Sequence, residues 1–364
     1  MASSAHHQHL PTPYGGATTA PPPTPSTQQA SDSSSDATAD VLSGLLHLLP
    51  PTLSLPTRRS PPATATTPTA SAPPISLSPQ NTNRLSDILF SASKLGFFQL
   101  THHAVRSELA QAAESESLSL VNLPREKKQL CFPNNWPVGF DDEDDDGDSF
   151  CLDSGCFTEP SSELSLGSLG EFSREMERVG LEVIEALACA VGFENPARED
   201  PSSVCSLLWI SEGNPGNKPV ASGKFYPYAV GLHYQIRSQK HSLLADSGWV
   251  SVSPQVDSVL VTLGDIAQVW SNGKIKKVRG RPVPSQGDNN GDNARHVSMS
   301  LLVTLPLEST LSPLLPSLNV DGDEDEGNKD DGRWGFSSFS FEDYAWRVYH
   351  ERLLLKDPLD RYRV

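Results

Sequence analysis

The feature that most constrains this chain is a change of hydrophobic period near Lys218. Beyond it, short apolar runs alternate with turn signals. Ala245-Asp246-Ser247-Gly248 precedes Trp249-Val250-Ser251-Val252, and Val259-Leu260-Val261-Thr262-Leu263 precedes Gly264-Asp265. Lys274 to Val283 and His296 to Leu305 read as two more strands. Closely spaced strands joined by polar turns predict a sandwich or barrel rather than an open parallel sheet. Phe341 to Leu355 returns to a helical pattern.

Upstream the period is helical. Leu85, Ile88, Leu89, Ala92 and Leu95 share one face, with Gly96 as the stop, and Gly96 to Leu100 then reads as a strand. A second helix is predicted from Ser107 towards Leu123, and Pro124 opens a short third. Asn134 to about Gly167 reads as irregular. A long helix follows, with Phe172, Met176, Val179, Val183, Leu187 and Val191 on one face. The predicted class is α+β: a β core with flanking helices, divided into residues 81–217, mainly helical, and 218–364, the core with its closing helix.

Residues 1–80 are rich in Pro, Ser, Thr and Ala and too poor in apolar groups to offset ordering entropy, so they read as a disordered tail. Within it, Val41 to Leu49 is a short amphipathic run that could dock on a protein partner, or simply a transient apolar patch. Arg58-Arg59-Ser60-Pro61 has the form of a kinase target as much as of a plain basic pair. The chain of 364 residues carries a formal net charge of -17, which argues against nucleic acid as a general partner. No apolar run approaches the roughly 20 residues needed to span a membrane. The five cysteines show no zinc-type pairing. Their odd count, without a secretion signal, predicts free thiols and a cytoplasmic location, with nucleus and plastid also compatible.

Several runs together resemble the plant 2-oxoglutarate/iron(II) dioxygenases, the group that includes gibberellin oxidases and has the isopenicillin N synthase fold. Gly96-Phe97-Phe98-Gln99-Leu100-Thr101-His102-His103-Ala104-Val105 resembles that family's N-terminal strand, and Leu123 to Lys128 its "LPxEEK" helix start. Gly248-Trp249-Val250 and Gly264-Asp265-Ile266-Ala267-Gln268-Val269-Trp270-Ser271-Asn272-Gly273 resemble its "GxWV…GDxLQxWSNG" run. Over residues 81–355 the resemblance implies a double-stranded β-helix, or jelly roll, with helices packed outside. It also implies iron(II) held by two His and one carboxylate, and 2-oxoglutarate clamped by an Arg two residues before a Ser.

At the positions matching those roles the residues differ. Gly280 stands where the resemblance puts the distal His, and a glycine offers no ligand. The His-x-Asp motif, expected after a Tyr-Pro strand at Phe225 to Tyr228, reads His233-Tyr234-Gln235, leaving an amide for the carboxylate. Ser298 keeps the Ser of the clamp, but His296 replaces its Arg; the adjacent Arg295 would reach the site only through a bulge. Tyr226 matches a 2-oxoglutarate-binding Tyr or else a core aromatic. His233, His241, His296 and Asp246 are the residues from which a rearranged metal site would be drawn. The expectation is a dioxygenase-like protein without iron chemistry, binding a small molecule in the barrel or a protein partner. The alternative is an active oxidoreductase that acts on a small hydrophobic metabolite through a rearranged iron(II)/2-oxoglutarate site. Whether the chain is an enzyme stays open at this stage.

Three further signals have bland readings beside functional ones. Lys274 to Arg281 carries five cations in eight positions, reading as a solvated strand edge or as an anion site. Asp142 to Asp153 partly matches a calcium loop but reads as a solvated acidic run. His102-His103 reads as part of the family strand rather than a metal pair.

Overall fold

The β-rich half supplies strands whose apolar residues fall on both faces, and both faces are covered. The computed structural model describes residues 69–78, 80–141, 148–157, 164–212, 225–284, 297–315, 335–350 and 357–364. The strands are β1 (Pro74–Ser76), β2 (Phe97–Thr101), β3 (Gly139–Asp141), β4 (Ser149–Leu152), β5 (Cys205–Glu212), β6 (Val230–Tyr234), β7 (His241–Ala245), β8 (Gly248–Val252), β9 (Val259–Leu263), β10 (Val278–Pro284), β11 (Val297–Thr304), β12 (Thr310–Leu311) and β13 (Phe339–Ser340). Eight of them form the large sheet, in the order β1-β2-β9-β6-β11-β5-β4-β3. Three form a smaller sheet, β10-β7-β8. An apolar layer of Phe97, Leu260, Leu243, Val250, Val252 and Val278 packs between the two, the jelly-roll arrangement predicted above.

The helices are α1 (Arg84–Lys94), α2 (Ser107–Val121), α3 (Arg125–Cys131), α4 (Gly167–Val191), the four-residue α5 (Pro196–Glu199), α6 (Asp265–Trp270) and α7 (Phe341–His350). The long α4 lies against the large sheet and buries Phe172, Met176, Val179, Val183 and Leu187. Each such side chain removed from water contributes about 1.5–3 kcal/mol. Contact is closest at Gly180, where a β-carbon would stand 2.6 Å from Val303 and 3.1 Å from Leu232. Leu232 and Val303 therefore face the helices, and alternation turns His233 and Ser300 the other way, into the barrel.

Several boundaries move. The domain begins before Asn81, because Thr69 bridges Ser251 and β1 pairs in parallel with β2. The division at residue 217 does not describe the core either, since β2 and β5 are strands of the same sheet as β6, β9 and β11. The stretch read as irregular contributes β3 and β4, which extend that sheet beyond β5. On α1, Ile88 and Ala92 are buried but Leu85 and Leu89 are exposed, so only part of the predicted face is used. Residues 1–68, including 41–49 and the Arg-Arg-Ser-Pro run, lie outside the described residues, as do Asp142 to Gly147. No helix among the described residues is long and apolar enough to cross a membrane. The five cysteines are free thiols.

Candidate functional site

The residues singled out above meet on the inner faces of the two sheets. His233 enters from β6, 8% exposed, with Nδ1 3.4 Å from the Ser300 hydroxyl of β11. His241 opens β7 on the opposite sheet and is fully buried. The two rings meet edge to face, centroids 4.8 Å apart. Burial drives the His233 pKa down to about 4, against a backbone hydrogen bond to Met299 that raises it. Burial, and then the neighbouring His233, bring His241 down to about 2. Both imidazoles are neutral at pH 7.

Gln235 is committed as an amide. Its Oε1 lies 2.8 Å from His241 Nε2, which donates to it. Its Nε2 donates to the carbonyls of Arg237 and Gln239, closing the turn between β6 and β7. A carboxylate here could accept from His241 but could donate nothing to the two carbonyls. The same turn is held from outside by a two-pronged ion pair, Arg237 Nη1 and Nη2 each 2.6 Å from a carboxylate oxygen of Glu114 in α2.

Gly280 lies in β10, at a break in the pairing with β7 between Arg279 and Val283. Its φ is +72°, which a side chain rarely adopts, and a β-carbon would stand 2.1 Å from the Phe225 ring. The Tyr228 hydroxyl donates to its carbonyl at 2.8 Å. The position thus has neither a ligand nor room for one. The same break carries Arg281 across to the face of Trp209 in β5, 4.2 Å from the ring centroid.

The remaining predicted residues separate. Ser298 lies on β11 opposite Ser211, half-buried. Arg295 and His296 fall outside the described residues. Phe225 to Tyr228 is an extended lead into β6, not a strand. Tyr226 is buried there, its ring packed near Trp136 and Phe341, and burial pushes its phenol pKa upward. Of the residues considered for a rearranged metal site, His233 and His241 come together, while Asp246 is exposed in the β7–β8 turn.

These residues do not fit iron(II). A facial site needs two imidazoles and a carboxylate converging on one point. His233 meets the Ser300 hydroxyl and the His241 ring, and His241 in turn is bound to the Gln235 amide. Among the described residues no three His, Cys, Asp or Glu side chains are grouped so as to hold a metal ion. His102 and His103 are apart from this: His102 Nδ1 is 3.2 Å from the Ser76 hydroxyl, and His103 Nε2 donates to the Asp257 carbonyl at 2.9 Å.

The basic run is not a solvated edge. Lys277 is fully buried, and its Nζ lies 2.6 Å from both Asp265 Oδ1 and Asp357 Oδ1. Arg279 and Arg363 approach Asp357 Oδ2 at 3.6 Å each. Burial alone would raise the Asp357 pKa; the Lys277 ammonium and the Leu359 backbone N–H outweigh it, and the net shift is downward. Sequence reading missed this cluster because Asp357 lies 80 positions from Lys277 and Asp265, 12 positions away, read only as part of a turn. It also missed Phe225 and the His241–Gln235 pair, for which no local pattern exists.

Comparison with known proteins places this barrel. The profile of the 2OG-Fe(II) oxygenase superfamily matches residues 229–299. Gibberellin 2-beta-dioxygenase 2 of Arabidopsis thaliana is 24% identical over 303 residues, covering 73% of this chain and 81% of that protein. Among solved structures, JOX2 in complex with 2OG, Fe and JA superposes with a TM-score of 0.61 at 16% identity, over 85% of this chain and 94% of that one. The rice dioxygenase for auxin oxidation gives 0.60 at 18%, over 80% and 100%. At such identities the structural likeness speaks to the fold.

Proposed function

This chain belongs to the 2OG-Fe(II) oxygenase superfamily, and from that premise we propose that it is a non-catalytic member, a binding protein that keeps the barrel without the iron. One observation carries the reading: the two positions that the family resemblance assigns to metal ligands are an amide hydrogen-bonded at both ends, Gln235, and a glycine backed by a ring, Gly280. Loss of one ligand leaves room for a substitute. Here the surroundings have closed over both positions. Retention of the Gly264 to Gly273 turn and of the two-sheet barrel supports a role that needs the shape of the fold rather than its redox chemistry. The names of these relatives refer to gibberellin, JA and auxin, which supports a small organic molecule as the ligand.

The deciding experiment loads the full chain with iron(II) and 2-oxoglutarate under argon. Metal analysis after desalting, titration calorimetry and a succinate assay then read the result. The expected outcome is substoichiometric iron, no saturable heat from 2-oxoglutarate and no succinate above the iron-only background. Stoichiometric iron with turnover abolished by His233→Ala would establish the rival reading, an active oxidoreductase with a rearranged site.

A further inference from the structure

Helix α1 presents large apolar side chains to solvent. Of the eight such residues exposed among the described ones, three fall within six positions of this helix: Leu85 at 42%, Leu89 at 40% and Phe90 at 60%. At about 100° per residue they span an arc of about 140° beside the one that buries Ile88 and Ala92. Ser86 and Ser93 lie inside the arc. Their hydroxyls donate to the Asn83 and Phe90 carbonyls of the chain itself, at 2.8 and 3.3 Å, which leaves little polar surface between the large side chains.

One end of the arc is basic. The Lys276 N–H donates to the Ala92 carbonyl at 2.8 Å and brings the exposed part of the basic run onto the last turn of α1. Lys94, Lys274 and Lys276 are exposed, and none has a carboxylate partner among the described residues, whereas Lys277 is held by Asp265 and Asp357. Lys94 alone answers the helix dipole at that end. Three unpaired cations together, in a chain with 45 acidic and 28 basic side chains, leave negative charge to be supplied from outside.

We propose that the Leu85, Leu89 and Phe90 face of α1, with Lys94, Lys274 and Lys276 at its end, docks an acidic amphipathic helix of a partner protein. The partner's apolar stripe packs on the arc and its carboxylates meet the lysines. Small serines between larger residues form the groove that the ridge of a second helix enters. The charges set the direction of docking, since only one end of the arc is basic. A bilayer suits this surface less well: exposed Asp87 borders the arc, and a net charge of -17 opposes an anionic membrane. Iron in the barrel would leave these solvent-facing side chains unchanged, so docking is independent of the non-catalytic reading and goes beyond it.

The test is fluorescence anisotropy of the full chain with synthetic helical peptides that carry leucine at i, i+4 and i+7 and either glutamate or lysine on the flanks. Expected is saturable one-to-one binding of the glutamate peptide, weakened by salt, with the lysine peptide about tenfold weaker or worse. Phe90→Ser and the double change Lys94→Glu/Lys276→Glu each weaken the glutamate peptide about tenfold. Both leave the melting temperature as in the parent, since the side chains replaced are exposed. Four outcomes overturn the proposal: neither peptide binds, both bind alike, the variants bind as the parent does, or the face serves another occupant. The last is read by sedimentation, as a dimer that Phe90→Ser dissociates, and by flotation with phosphatidylserine vesicles, as binding that Phe90→Ser removes. Should Phe90→Ser fail to fold, the lysine-to-glutamate variant, which alters exposed charge alone, decides.

Discussion

Around His233 the buried polar groups are all neutral; around Lys277 they are nearly all charged. The first centre pairs an imidazole with an amide, another imidazole and a hydroxyl, each lying between strands of the two sheets. The second sets one ammonium between two carboxylates, with two guanidiniums behind. The contrast shows where the fold keeps its electrostatic work. The segment from Gly264 to Gly273 contributes Asp265 to the charged centre. That centre stabilises the frame without reference to any metal. The neutral centre gathers no carboxylate that would call for an ion.

That contrast can be broken first at Lys277. Lys277→Ala leaves Asp265 and Asp357 buried without their shared cation and is expected to cost about 3–5 kcal/mol, read from urea unfolding at pH 7. A loss below about 1 kcal/mol would mean that the charged centre is no more structural than the neutral one.

Acid sharpens the contrast from the other side. His233 and His241 have folded pKa values of about 4 and about 2, below the unfolded value of 6.5. Between pH 6.5 and 4 the unfolded chain gains protons that the folded chain refuses, so stability is full above pH 6.5 and falls with pH through that window. At pH 5 the expected loss is about 2 kcal/mol for each histidine. Urea midpoints at pH 7 and pH 5 measure it, and His241→Phe should remove about half. A midpoint that does not move would mean that these imidazoles take up protons in the folded state.

The smallest expected effect concerns Gly280. Gly280→Ala adds a methyl against Phe225 at a φ of +72° and should cost about 2 kcal/mol. In a double-mutant cycle with Phe225→Ala the coupling should recover the steric share of that loss and leave the backbone share. Additive effects would show that Phe225 does not fill the position.

Much of this was legible in the sequence. Helices α1 to α4 and a sandwich or barrel of short strands follow from periodicity and stop signals; the jelly roll, and the matching of Gly280 and Gln235 to ligand positions, came from the family resemblance. The failures have physical causes. β3 and β4 are short strands at a sheet edge, where acidic and small residues give no alternation to read. β5 precedes the change of period, because a jelly roll interleaves strands from distant parts of the chain. The basic run looked solvent-facing since Lys277 carries a charge, and its carboxylate partners become neighbours only after folding. Phe225 was invisible for a similar reason: the van der Waals contact that excludes a side chain at Gly280 is a property of three-dimensional packing, not of either residue's surroundings in the sequence.

The link between Lys277 and Asp357 spans 80 positions of chain. During synthesis the lysine therefore leaves the ribosome well before the carboxylate that shares its proton-rich head group. Until then Asp265, 12 positions before Lys277, is the one carboxylate of the pair already made, so the charged centre is completed late, as the turn around Leu359 arrives.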